Sequence, residues 1–314
     1  MKKTLEIILM FLAAVIICAC EADKETGKFQ IPKADIIYQA INDQLSDRES
    51  NNLLGLVNAD GTGNIYIKLK YRPYEPVLST EMGGIFFHVD ATEPPDLGGG
   101  AGPVYFLSDL GTYKTCDSLS TARFIFPLRG TGYLLENDLR SIDLVDMNTC
   151  SVVKSLVEIP TEVPWVKFIN SAYPSSSGKR VIFSENYREP SRDVIYIVDV
   201  QSGDMKEVLE GGYNATFSPD DQKIAYVGDN GIYVANVDGA GSKLIVRIDF
   251  SSYKNGLEPA PFWSPNGKTL LYHKCNIAEC YSDDLSHFSI FKVDVNSGIE
   301  QKIVDGGLYP VWIK

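Results

Sequence analysis

Three histidines, His88, His273 and His287, are the residues of this chain whose type best suits metal or proton-transfer chemistry. Carboxylates and phenols stand near them. Asp90 and Asp96 follow His88, and Tyr281, Asp283 and Asp284 lie between His273 and His287. Imidazoles and carboxylates brought together would make a divalent-metal centre or a general base. The spacing argues against it. No His-x-His or His-x-x-x-His pair sets two ligands on one strand or one helical turn, and spacing alone does not bring His88 to the other two. Histidines in polar surface loops have the same appearance, and that is the reading taken here. No metal and no cofactor is expected.

Two other stretches mimic chemistry. SPNGKTLLY, from Ser264 to Tyr272, contains a GKT, but a phosphate-binding loop needs a glycine five residues before its GK pair and position 262 is Phe. Asp294-Val-Asn-Ser-Gly298 has the start of a calcium loop without the downstream Glu that completes one. It reads as a turn. No GxSxG elbow is present.

The balance of 29 Lys and Arg against 41 Asp and Glu gives a net charge of −12. No basic stretch could displace counterions from phosphates, so nucleic acid is excluded as an expected partner. The N-terminus has the pattern of an export signal: basic MKK, then the apolar run IILMFLAAVII, too short for a comfortable membrane span. It ends in Ile17-Cys18-Ala19-Cys20, which resembles a bacterial lipobox with Cys20 as the lipidated residue. That resemblance implies a signal peptide over 1–19, a polar tether over 20–34 and a folded unit over 35–314, anchored by lipid in the bacterial cell envelope at the outer membrane, on its periplasmic face or at the surface, with an uncleaved anchor or an ordinary secretory signal as the alternative. For an exported chain, the remaining Cys116, Cys150, Cys275 and Cys280 suggest disulfides. The expected pairs are Cys275–Cys280 and Cys116–Cys150, with free buried thiols as the alternative.

The elements that must position these residues come from a repeat. Copies of the SPNGKTLLY pattern begin at Ser79, Pro127, Ser175, Ser218 and Ser264, spaced 43 to 48 residues apart. Each is a polar corner leading into an apolar strand, whose weak alternation predicts burial on both faces. A second family of strand–turn–strand units has its shared polar residue at Asn58, Ser108, Asp146, Asp199, Asn236 and Asp294. A period of about 47 residues suits one four-stranded blade. Five corners of the first kind accompany six of the second, and the chain ends in GGLYPVWIK, which has the form of a strand that precedes a first corner. The count predicts an all-β, six-bladed propeller closed by pairing Tyr309–Ile313 with the blade begun near residues 35–70.

Phe262-Trp-Ser-Pro-Asn-Gly-Lys268, Phe217-Ser-Pro-Asp-Asp221, Asn236-Val-Asp-Gly239 and Asn58-Ala-Asp-Gly61 resemble the WD-like repeats of TolB-type propellers. The resemblance runs from about residue 35 to the end and implies the propeller fold. The copies at Ser79 and Pro127 lack its Pro and Asp.

With strands named A to D in each blade, the two corner families are the A–B and C–D turns. The B–C and D–A connections then share the opposite rim, and they include 88–102, 184–193, 273–288, 158–168 and 247–261. Long loops on one rim of a rigid scaffold are where binding residues sit. The candidate ligand face is therefore His88, Asp90, Asp96, Trp165, Tyr187, Tyr253, His273, Tyr281, Asp283, Asp284 and His287. The expected function is non-enzymatic capture of an envelope protein or glycan by a monomer. The alternative is a metal-dependent carbohydrate-active enzyme that uses the loop histidines.

Overall fold

The computed structural model describes residues 17–18, 33–40, 53–69, 73–79, 84–88, 104–108, 113–116, 124–146, 148–160, 167–188, 191–250, 253, 257–277 and 285–313. They form six antiparallel blades. After a two-residue strand β1 (Ile17–Cys18), the first blade holds β2 (Ile36–Ala40), β3 (Leu53–Val57) and β4 (Ile65–Lys68). The second holds β5 (Tyr74–Ser79), β6 (Gly84–His88), β7 (Val104–Ser108) and β8 (Tyr113–Cys116). The third holds β9 (Phe124–Leu128), β10 (Tyr133–Asn137), β11 (Ser141–Asp146) and β12 (Ser151–Glu158). The fourth holds β13 (Lys167–Pro174), β14 (Arg180–Arg188), β15 (Ser191–Asp199) and β16 (Met205–Glu210). The fifth holds β17 (Gly212–Phe217), β18 (Lys223–Gly228), β19 (Gly231–Asn236) and β20 (Lys243–Arg247). The sixth holds β21 (Phe262–Trp263), β22 (Thr269–Cys275), β23 (Phe288–Asp294) and β24 (Glu300–Asp305).

The last strand, β25 (Gly307–Trp312), pairs with β2 and gives the first blade its inner strand, as the excess of second corners predicted. The inner strands β25, β5, β9, β13, β17 and β21 neighbour one another around the axis, so the ring is closed. β1 lies parallel to β4 at the outer edge of the first sheet.

The repeat is turn chemistry throughout. In the sixth blade the Ser264 N–H donates to the Thr269 carbonyl (2.8 Å), and its hydroxyl oxygen accepts from the Thr269 N–H (3.0 Å). Asn266 Oδ1 accepts from the Lys268 N–H (3.0 Å), and Gly267 takes the left-handed conformation (φ 68°). Lys268 is exposed. Ser218 and Ser175 make the same two backbone bonds, to Lys223 and Arg180. The C–D turns repeat as well. Asp146, Asp199 and Asp294 each cap two following N–H groups, and each turn ends on a left-handed residue: Cys150, Gly203 and Gly298. Bonds from Ser297 hold the Asp294 carboxyl below its usual range, so its oxygens serve the turn.

Aligned by pairing register, the central strands share one aromatic row. Phe183 stacks on Tyr196, Tyr226 on Tyr233, and Tyr272 on Phe291, with ring centroids 5.4–6.0 Å apart. In the first blade Tyr38 lies over Gly55, where a Cβ would fall 2.1 Å from the ring. The third blade breaks the row, for Glu136 stands opposite Asp143 at this register. Burial and the nearby Asp143 and Asp138 push the Glu136 carboxyl up to about 7.

Blades are also clamped to one another. Asp221 replaces the turn glycine of the SPNGK pattern and keeps its positive φ of 58°. Its carboxylate accepts from the Ser176 and Ser177 N–H groups of the fourth blade (2.8 and 3.2 Å), and its carbonyl accepts from Arg180 (2.8 Å). Bonds to a charged acceptor contribute about 1.5–3 kcal/mol, so Asp221→Ala is expected to lower unfolding free energy by about 2–3 kcal/mol. Asp221→Gly is expected to cost about 1 kcal/mol less, because it relieves the left-handed backbone. Urea unfolding of the two variants checks the order.

Candidate functional site

Strand order alone places the B–C and D–A connections on one rim, opposite the tight turns. Several strands run further onto that rim than the sequence suggested. Residues 184–193, read as a loop, are the end of a long hairpin: β14 continues to Arg188 and β15 resumes at Ser191. Tyr187 is thus a strand residue on a projecting ribbon. Its hydroxyl donates to Glu185 (2.7 Å) and lies 3.2 Å from the Tyr196 hydroxyl. Burial, then the bonds to Tyr196 and Glu185, push its pKa well up and keep it a donor. The buried Glu185 also pairs with Lys167 (3.1 Å). Arg192 sits over the Tyr187 ring at 4.6 Å and Lys167 at 5.6 Å. Together these residues hold an aromatic platform flanked by cations, suited to stacking and to hydrogen bonding.

The candidate histidines fall apart. His273 lies inside β22, not in a loop, and is 0% exposed. Its Nε2 donates to the Leu257 carbonyl (2.9 Å), and its Nδ1 accepts from the Tyr309 N–H (3.4 Å). Both ring nitrogens are used to join the fifth-to-sixth blade connection to the closing strand, and burial lowers its pKa to about 4. Fully buried, it presents no side chain to the ligand face. Tyr253 is buried too. Its hydroxyl accepts from the Cys275 N–H (3.0 Å), which anchors the connection. His287 closes a single 3-10 turn (Leu285–His287), and its carbonyl accepts from the Asn276 N–H (2.9 Å). His88 ends β6. Asp90, Asp96, Trp165, Tyr281, Asp283, Asp284 and Cys20 lie outside the described residues. No group of three or more potential metal ligands occurs among the described residues.

Register reveals a row that the sequence reading missed. Gln39, His88, Asn137, Ser184, Val227 and His273 occupy one position in the six central strands, each opposite a Leu, Val or Ile. Ser184 bonds Ser171 (2.9 Å). Gln39 and Asn137 are buried with no partner for either amide atom. Each such group costs on the order of 1–3 kcal/mol, and both lie at the loop-face ends of the first and third blades. Only superposing the repeats past the apolar core of each strand would have found this row. Cys150 and Cys275 are each disulfide-bonded. Cys150 takes the place that glycine holds in the equivalent turns of the fourth and sixth blades.

Residues 175–281 match the model of the dipeptidyl peptidase IV N-terminal region. No curated protein matches the chain. Among solved structures, TolB from Acinetobacter baumannii is similar with a TM-score of 0.66 at 17% identity, over 92% of this chain and 68% of that one. A chain of a nidogen/laminin complex gives 0.63 at 11% identity, over 88% of this chain and 97% of that one. An oligogalacturonate lyase in complex with manganese gives 0.50 at 15% identity, over 74% of this chain and 65% of that one. At these identities the likeness is one of fold, the six-bladed propeller.

Proposed function

We propose that the chain is a non-enzymatic, lipid-anchored binding propeller of the bacterial envelope, which captures a protein or glycan through its B–C/D–A face. The observation that carries this reading is the contrast between the two rims. The described tight turns spend their polar groups on their own backbones and on neighbouring blades. The opposite rim presents the Tyr187 platform and the long connections. The similarity to TolB and to a nidogen/laminin complex supports protein binding as the class of activity. The pairs Cys116–Cys150 and Cys275–Cys280 fit this compartment. The first would staple the end of β8 to the next blade's C–D turn, and the second would close the loop after β22.

A photo-crosslinker at Tyr187 is expected to trap the partner in envelope preparations, and one at Asn296, in a C–D turn, is not. Combining Tyr187→Ala with Arg192→Ala is expected to weaken capture by about 30-fold or more, the scale of an aromatic–Arg hot spot. Equal trapping from Asn296 would move the binding face to the other rim.

A further inference from the structure

Two polar side chains at the B–C end of the third blade have no partners among the described residues. Asn137 ends β10 and is 1% exposed, yet neither of its amide atoms is hydrogen-bonded. Arg140 follows in the turn to β11. It is half-buried, and its Nη1 is buried without a partner. The two share a face of the blade. Asn137 stands opposite Ile142, and Arg140 comes two residues before Ile142, which puts it on the same side of the sheet. Ile159, whose N–H donates to the Arg140 carbonyl (2.7 Å), packs with Ile142 in a core cluster that also holds Ile169 and Phe183 of the fourth blade. Asn137 and Arg140 therefore look into the seam between the third and fourth blades.

The far wall of this seam is the Tyr187 platform. The Ile169 N–H donates to the Leu139 carbonyl (2.9 Å), which ties the turn holding Arg140 to β13. Ile169 pairs with Glu185, and Lys167 pairs with Tyr187, on the side of the fourth blade that Phe183 shares. The carboxylates described around the seam are already engaged. Glu185 accepts from Lys167 and Tyr187, Glu210 lies 3.6 Å from Arg192, and Asp138 accepts from the Arg140 and Ser141 N–H groups (2.5 and 2.6 Å). An open guanidinium nitrogen suits an added carboxylate. An open primary amide sets one acceptor beside one donor, the complement of a peptide group. The C-terminus of a protein carries both, a carboxylate and a last peptide group joined through one Cα. A uronic acid also carries a carboxylate, but Arg192 already lies over the Tyr187 ring at 4.6 Å, and a sugar would stack there only by displacing it.

We propose that the seam between the third and fourth blades captures the free C-terminus of a partner protein, with Arg140 holding the carboxylate and Asn137 the last peptide group. This rests on the B–C/D–A rim being the binding face, and it names the chemistry of the partner there. The test uses the full chain in detergent with isotope-labelled arginine, and the side-chain signal of Arg140 is identified by its loss in Arg140→Lys. N-acetyl-dialanine is titrated in, then the same dipeptide as its C-terminal amide, then galacturonate. A saturable shift with the free acid and none with the amide is the expected result. Asn137→Leu is expected to weaken that binding about tenfold, the worth of one to two neutral hydrogen bonds. The same variant is expected to unfold at higher urea, because it removes two buried atoms without partners. A purely structural Asn137 would change stability and leave affinity untouched. Equal shifts with acid and amide, or a shift with galacturonate alone, overturn the C-terminus as the ligand. No shift with any probe, while a crosslinker at Tyr187 still traps a partner, overturns the seam and leaves the binding face standing. Loss of that crosslink as well removes both.

Discussion

A chain ending at Gly306 is expected to lose its cooperative fold. The missing strand, β25, is the inner strand of the first blade and, among the described residues, pairs the end of the chain with β2. Without it, β2, whose five residues are all buried, becomes an open edge with unpaired N–H and C=O groups. The Tyr309 bond to His273 and the Trp312 Nε1 bond to the Phe262 carbonyl (3.3 Å) go too, and buried Leu308 leaves the core. The loss is comparable to the whole stability of an ordinary domain, about 5–15 kcal/mol. Near-UV circular dichroism and size exclusion are expected to show a molten or aggregated chain. Adding a peptide of residues 305–314 in trans is expected to restore the native signal. A truncated chain that melts like the parent would mean that the ring holds without its closing strand.

The second large effect is hidden in the parent and exposed by mutation. His273 has a folded pKa of about 4 against an ordinary 6.5, so between those values the unfolded chain binds more protons and stability falls as pH falls. Glu136 has a folded pKa of about 7 against 4.5, so across 4.5–7 the folded chain binds more protons and stability rises as pH falls. Each shift is worth about 3 kcal/mol over its window. From these two groups the parent is therefore nearly flat between pH 4.5 and 6.5. His273→Asn, which puts there the residue that the third blade carries at this register, is expected to grow more stable on acidification through that range. Glu136→Gln is expected to grow less stable. Chemical denaturation across pH reads both slopes, and parallel profiles for the two variants would reject the opposing pair.

The sequence carried the ring because its turns are written in residues that only turns require. Ser264, Asn266 and Gly267 each have one backbone task, and the same tasks recur at Ser218 and Ser175. Closure followed from an unequal number of corners. What the sequence concealed lies where strands outrun their apolar stretches. His273 and Tyr187 are polar or amphipathic residues beyond a hydrophobic run, and so they read as loop. Their partners, Leu257 and Tyr309 for one and Lys167 and Arg192 for the other, become neighbours only after the sheets form. Glu136 was illegible for a different reason. One carboxylate in an otherwise ordinary strand becomes unusual only when the six blades are laid over one another and the remaining five show Tyr or Phe.

The closing strand also has a mechanical meaning. β2 is flanked by β25 on one side and β3 on the other, and Asp35, just before it, is bonded to Ala59 and Ile313. A pull at Asp35 along the strand direction would load two hydrogen-bonded ladders in shear at once, rather than peeling one bond after another. Tension applied at residue 35 would be shared by β2 and β25, so the ring resists being unwound from that end.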